Sequence, residues 1–100
     1  TKKSLFEELD GFDESFKVAC NDIDYCLRVE ERNCLVVFNS FAKFYHFESK
    51  SRGYENSLEK VNRFNREVEI WQDRWRDILV NGDPYYNVNF KIENEPFELK

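Results

Sequence analysis

Methionine is absent from the chain, even at its first position, where Thr1-Lys2-Lys3 stand. Such a start reads as a piece of a longer protein, so function has to be argued for a part as well as for a whole. Cysteine is scarce and odd in number: Cys20, Cys26 and Cys34 cannot all pair, and none of their spacings is Cys-x-x-Cys. That argues against a disulfide framework and a four-ligand zinc site, and fits a reducing, cytoplasmic setting. No apolar run approaches the ~20 residues of a membrane span, and no basic stretch leads into an apolar segment of the signal-peptide kind. A soluble chain with no transmembrane segment is expected. Positive charge is in deficit, with 15 Lys and Arg against 20 Asp and Glu and a net charge of −5. A phosphate backbone needs a basic footprint, so nucleic acid is disfavoured as a partner.

Hydrophobic residues fill 41% of the positions and charged residues 35%, against roughly 25% charged in an average domain. Aromatics have to supply much of the core. They make up 17% of the chain, ten of them Phe, and each can bury roughly 150–250 Å². At 100 residues the chain is one unit at most, 1–100 without an internal boundary.

Ser4-Leu5-Phe6-Glu7-Glu8-Leu9 reads as a short helix with Ser4 as its N-cap, stopped at Asp10-Gly11. Ile23, Cys26 and Leu27 recur at helical spacing after Asn21-Asp22, which predicts a helix from 22 to about 32. Asn33 then serves as a residue that tolerates left-handed backbone. Leu35-Val36-Val37-Phe38 and the run from Phe41 to Phe47 have strand character, and a hairpin turning at Asn39-Ser40 is one option. Leu58, Val61, Phe64, Val68, Trp71, Trp75, Ile78 and Leu79 line one face of a single long amphipathic helix, stopped by Gly82 and Pro84. One more short strand is expected near Val88 to Ile92. The fold class expected from these pieces is α+β, or a partial α/β unit, with two or three short strands and a Phe and Trp core along the long helix.

Three constellations could carry chemistry. Asn21-Asp22-Ile23-Asp24 opens a helix, where free backbone N–H groups and the helix dipole keep carboxylates ionised. Ordinary capping explains such residues as well as a general base or metal ligand does. Asp22 and Asp24 differ by about 200° around a helix axis, so both cannot address one small site unless the first precedes the helix proper. His46, the one histidine, is followed by Glu48, Ser49, Lys50 and Arg52, a neighbourhood that suits a phosphate or a metal, although a lone histidine after a strand is more often simply packed. Asp83-Pro84-Tyr85-Tyr86-Asn87 combines aromatics and amides, which suits sugar stacking or a hydrophobic clasp over the long helix.

Taken in order, Gly11-Phe12-Asp13-Glu14, Asn21-Asp22-Ile23-Asp24-Tyr25-Cys26-Leu27-Arg28, His46-Phe47-Glu48-Ser49, Ser51-Arg52-Gly53, Arg63-Phe64-Asn65-Arg66-Glu67, Arg74-Trp75 and Asp83-Pro84-Tyr85-Tyr86-Asn87 follow a recognisable pattern. From about residue 5 to residue 90 it resembles the C-terminal, acceptor-side half of bacterial family 2 glycosyltransferases with the GT-A fold. The resemblance implies an inverting transfer of a sugar from a nucleotide-sugar donor to a glycan or lipid-linked acceptor, in cell-surface polysaccharide synthesis. It implies that Asp22 is the catalytic base and that Asp24 and Arg28 hold its helix. Asn21, Asp24, Ser49 and Arg52 would lie on the substrate side, and His46 would help hold a metal or diphosphate. A divalent metal, Mg or Mn, is implied too, held mainly by a nucleotide-binding half that these residues do not include. The Asp-x-Asp string of Asp22-Ile23-Asp24 opens a helix, so it corresponds to the base motif and not to the metal motif of that half.

The chain departs from the pattern at Asp10-Gly11, where two glycines are common, at Asn33-Cys34, at Asn39-Ser40 and at Val88. A non-catalytic glycan- or protein-binding module built on the same scaffold is the alternative. Retention of Asp22, His46 and Arg52 together speaks against it. Calcium binding through Asp10, Asp13 and Glu14 fails on spacing. The isolated piece is expected to be inactive and to self-associate. In the cell it is expected to be cytoplasmic, held at a membrane only through its parent protein.

Overall fold

The structure, a computed structural model, describes residues 1–47, 57–91 and 98–100. Among these residues four helices form: α1 (Lys3–Glu8), α2 (Asn21–Glu31), α3 (Leu58–Arg74) and α4 (Arg76–Asn81). Two of the helix stops follow from local chemistry. After α1, Asp10 is left-handed at φ 57°, its N–H donates to Glu7 O at 3.1 Å, and Gly11 N–H donates to Phe6 O at 2.8 Å. After α2, Asn33 is left-handed at φ 55°, its N–H donates to Glu30 O at 2.9 Å, and Cys34 N–H donates to Val29 O at 3.3 Å. Both ends are Schellman closures, which occupy carbonyls that a helix end otherwise leaves open.

The expected long helix is interrupted at Trp75, whose backbone (φ −105°, ψ 25°) separates α3 from α4. The interruption falls where Arg74 and Trp75 both reach across to Asp24 of α2. Gly82, at φ 79°, ends α4 as its position predicts. Ser57 caps α3, its hydroxyl accepting from Lys60 N–H at 3.3 Å.

The expectation of an α+β fragment of a GT-A fold is overturned: among the described residues there is no sheet, and the β pairing consists of one isolated bridge, Phe90 to Leu99. A turn forms one residue further on than the hairpin option placed it, centred on Ser40-Phe41, with Ala42 N–H donating to Asn39 O at 3.1 Å and Phe41 N–H to Asn39 Oδ1 at 3.0 Å. Its arms, 35–38 and 42–47, have no regular secondary structure and do not pair as strands. Strand propensity measures fit to a pleated, half-buried surface, and without a neighbouring strand there is nothing for that fit to act on. The strand expected near Val88 to Ile92 is reduced to Phe90 of the bridge, and Ile92 itself is outside the described residues.

The core is correspondingly small. Phe16, Ala19, Tyr25, Val29 and Trp75 are its buried apolar members, joined by two buried carboxylates, Asp24 and Glu67. Of the stripe expected to face the core from the long helix, Trp75 alone is buried, while Leu58, Val61, Phe64, Ile78 and Leu79 are exposed. On α2 the buried face is Asp24, Tyr25 and Val29, and Ile23 lies on the other side, half exposed. Phe6, Phe12 and Tyr25 close the α1 side, each ring centroid 5.5 Å from the other two. The Phe6–Phe12 and Phe12–Tyr25 pairs are edge-on, a geometry that adds about 0.5–1.5 kcal/mol per pair beyond area burial.

Candidate functional site

Asp24, in the first turn of α2, has no exposed surface. A carboxylate in such a place survives only if its lone pairs are matched by donors. Its Oδ1 accepts from Arg74 Nη1 and from Trp75 Nε1, both at 2.9 Å, and its Oδ2 accepts from Arg28 Nε, also at 2.9 Å. Arg28 spends its remaining donors on the end of α1, Nη1 to Leu9 O and Nη2 to Gly11 O, each at 2.8 Å. Arg74 is shared with Asp13 at 2.8 Å and lies over the Phe16 ring at 5.0 Å. Burial alone would lower the Arg74 pKa, but the two aspartates raise it above its ordinary value. The Asp13 carboxyl is held at about 2, chiefly by the Ser15 backbone N–H and hydroxyl and further by Arg74. A cleft of about 410 Å³ over this cluster is lined by Asp13, Arg28, Glu31, Arg74, Trp75 and Asp77, with Ile78 at its edge.

The second buried carboxylate acts on the loop that leads into α2. Glu67, on α3, accepts three consecutive backbone N–H groups: Lys17 at 3.2 Å on Oε1, and Val18 at 2.9 Å and Ala19 at 2.7 Å on Oε2. Successive amides converging on one anion form a nest. Burial works against the charge, yet the three amides, aided by Arg63, hold the Glu67 carboxyl below its usual range. Cys20 follows in a left-handed conformation at φ 61°, and Asn21 Nδ2 donates to Phe16 O at 3.4 Å.

Asp22 stands between these two anchors. It is exposed, and its Oδ1 accepts from the N–H of Ile23 at 2.9 Å. The wide angular separation expected of Asp22 and Asp24 is therefore realised as one carboxylate facing outward and one facing the core. Asn21 is half-buried beside the loop. His46 lies exposed in the irregular segment after the turn at Ser40-Phe41. Among the described residues no three or more of His, Cys, Asp and Glu gather where they could hold a metal ion. Ser49 and Arg52 lie outside the described residues. Cys20, Cys26 and Cys34 are free, and burial, followed by nearby carboxylate charge, pushes the Cys20 and Cys26 thiols up, which keeps both protonated at neutral pH.

Glu67 and Arg74 escaped the reading of the sequence as anchors, although both lie inside quoted motif blocks. The signal was periodicity. Glu67 falls three residues after Phe64 and four before Trp71, so a carboxylate interrupts the apolar stripe of α3 at a position that faces the rest of the molecule.

Two known proteins are similar to the chain over most of its length. It is 40% identical over 99 residues to the uncharacterized protein y4gI of Sinorhizobium fredii (strain NBRC 101917 / NGR234), covering 98% of the chain and 11% of that protein. It is 33% identical over 94 residues to the O-antigen biosynthesis protein RfbC of Myxococcus xanthus, covering 91% of the chain and 7% of that protein. The chain thus spans about a tenth or less of the length of these relatives. No protein-family model matches it, and no solved structure matches it. Among the described residues no helix is long and apolar enough to cross a membrane.

Proposed function

We infer that the chain is the acceptor-side portion of an inverting glycosyltransferase of the family 2 kind, acting in the synthesis of a cell-surface polysaccharide. The observation that carries this is its similarity, over 91% of its length, to a protein named for O-antigen biosynthesis. The ordered motif blocks that resemble such transferases, with Asp22 in the place of their base, support it further. In this reading Asp22 takes the proton of an acceptor hydroxyl as that oxygen attacks the anomeric carbon of a nucleotide sugar. The bond from that carbon to the nucleoside diphosphate breaks, and the diphosphate leaves with the electron pair. Exposure of Asp22 leaves its carboxylate open to an acceptor. The donor diphosphate and any divalent metal are assigned mainly to residues outside these 100, with His46 as the candidate contact to them from this chain. Three free thiols suit the reducing cytoplasm in which this reading places the reaction.

The test is Asp22→Asn in the full-length protein, assayed for transfer from nucleotide sugars to a polysaccharide acceptor. Loss of a general base lowers the rate by about 10²–10⁴-fold. A rate equal to that of the unmodified protein overturns the assignment of Asp22.

A further inference from the structure

We propose that Glu67 is a positioning residue for Asp22, setting through the backbone where the candidate base stands. This deepens the reading of Asp22 as base and rests on it. Glu67 is 4% exposed, comes from a helix some fifty positions away in sequence, and binds the amides of Lys17, Val18 and Ala19. Those are the residues that lead, through left-handed Cys20, into Asn21 and Asp22. A left-handed backbone is unfavourable for a non-glycine residue, so the surrounding contacts must impose it. Here they do so from both sides: Glu67 fixes the three amides before Cys20, and Cys20 O accepts the first helical bond from Asp24 N–H at 2.9 Å. Asp24 is in turn anchored by Arg28, Arg74 and Trp75.

Glu67 and Asp24 thus clamp α3 and its end to either side of Asp22. If adhesion of α3 were the whole purpose, apolar side chains would serve with less desolvation cost. What a carboxylate adds is direction, because it binds only when all three N–H vectors converge. Misplacement of a reacting group by about 1 Å costs on the order of 10²-fold in rate, which is the leverage Glu67 holds over Asp22 without touching it.

The experiment is a mutant cycle in the full-length protein with Asp22→Asn, Glu67→Gln and the double variant, each assayed for kcat and nucleotide-sugar KM well below its melting midpoint. Glu67→Gln keeps the shape and turns an NH2 or a weaker acceptor towards the amides. It is expected to lower kcat by about 10- to 100-fold with the donor KM unchanged, and to slow Asp22→Asn no further. Glu67→Asp, which keeps the charge but loses the reach, provides the same comparison if Glu67→Gln does not fold. Full-sized additive losses in the double variant, or unmodified kcat in a folded Glu67 variant, overturn the positioning role. Unmodified transfer by Asp22→Asn is a different failure, of the base assignment itself, and removes the positioning role with it.

Discussion

Two tryptophans four residues apart on α3 and its end illustrate how a single polar atom separates similar side chains. Trp75 Nε1 donates to the buried Asp24, whereas the buried Trp71 Nε1 has no acceptor among the described residues. A hydrogen bond to a charged group is worth about 1.5–3 kcal/mol, and an unmatched buried donor costs about 1–3 kcal/mol. Trp75→Phe should therefore destabilise the protein by about 2 kcal/mol or more, since Asp24 loses a donor as well as packing. Trp71→Phe should change stability by less than about 1 kcal/mol, because the lost area is offset by removal of the orphaned N–H. Urea unfolding of the two variants checks the difference, and equal losses would remove Trp75 from the Asp24 cluster. The role of either indole nitrogen was hidden in the sequence, where Trp71 and Trp75 occupy equivalent places on one apolar stripe.

At the level of elements, carboxylates bridge segments distant in sequence. Asp24 joins α2 to the α3–α4 junction, Glu67 joins α3 to the 17–19 loop, and Asp13 reaches Arg74 from the loop after α1. Such a design is acid-labile. Asp13 falls from an ordinary 3.8 to about 2 in the folded protein, and Glu67 is lowered from its ordinary 4.5. Both therefore bind fewer protons folded than unfolded, so stability rises with pH through this range. Their contribution is complete above about pH 5 and disappears as pH falls through the depressed values towards about 2. Melting midpoints measured between pH 7 and pH 2 should fall steeply below pH 4.5, and a flat profile would contradict the role of these carboxylates. Helix ends were far more legible than helix partners. Asp10-Gly11, Asn33 and Gly82 mark the observed stops because a left-handed residue closes a helix whatever it packs against.

On the scale of the whole molecule, apolar surface is left uncovered. Phe38, Phe41, Phe44 and Tyr45 are 91%, 93%, 89% and 92% exposed on a segment whose charged side chain is Lys43. Together they present roughly 550–900 Å² of aromatic area, comparable with the ~800 Å² that each partner contributes to a standard interface. The isolated chain should consequently self-associate at micromolar concentration, as sedimentation velocity would show. Phe41→Glu with Phe44→Glu should restore the monomer while leaving the helical circular dichroism unchanged. A monomeric parent chain would show that this segment is covered from within. The α+β expectation failed on this same segment: its residues are strand-like, but a strand exists only with a neighbour, and none of the described residues supplies one.

Spacing and residue type along the chain were enough to locate α1 and α2, the C-terminal stop of the long helical region, and the opposed directions of Asp22 and Asp24, since helical geometry is local, although the cap expected at Ser4 did not form and α1 starts at Lys3. Local information was also enough to place the turn after Asn39 to within one residue. Choosing which face of α2 is buried, breaking the long helix at Trp75 and bringing Glu67 to the loop before Asp22 all depended on contacts spanning about fifty residues. Such contacts are decided by where buried charge can find donors, and the donors belong to other elements. A carboxylate within an apolar stripe signals that a partner exists but not which one.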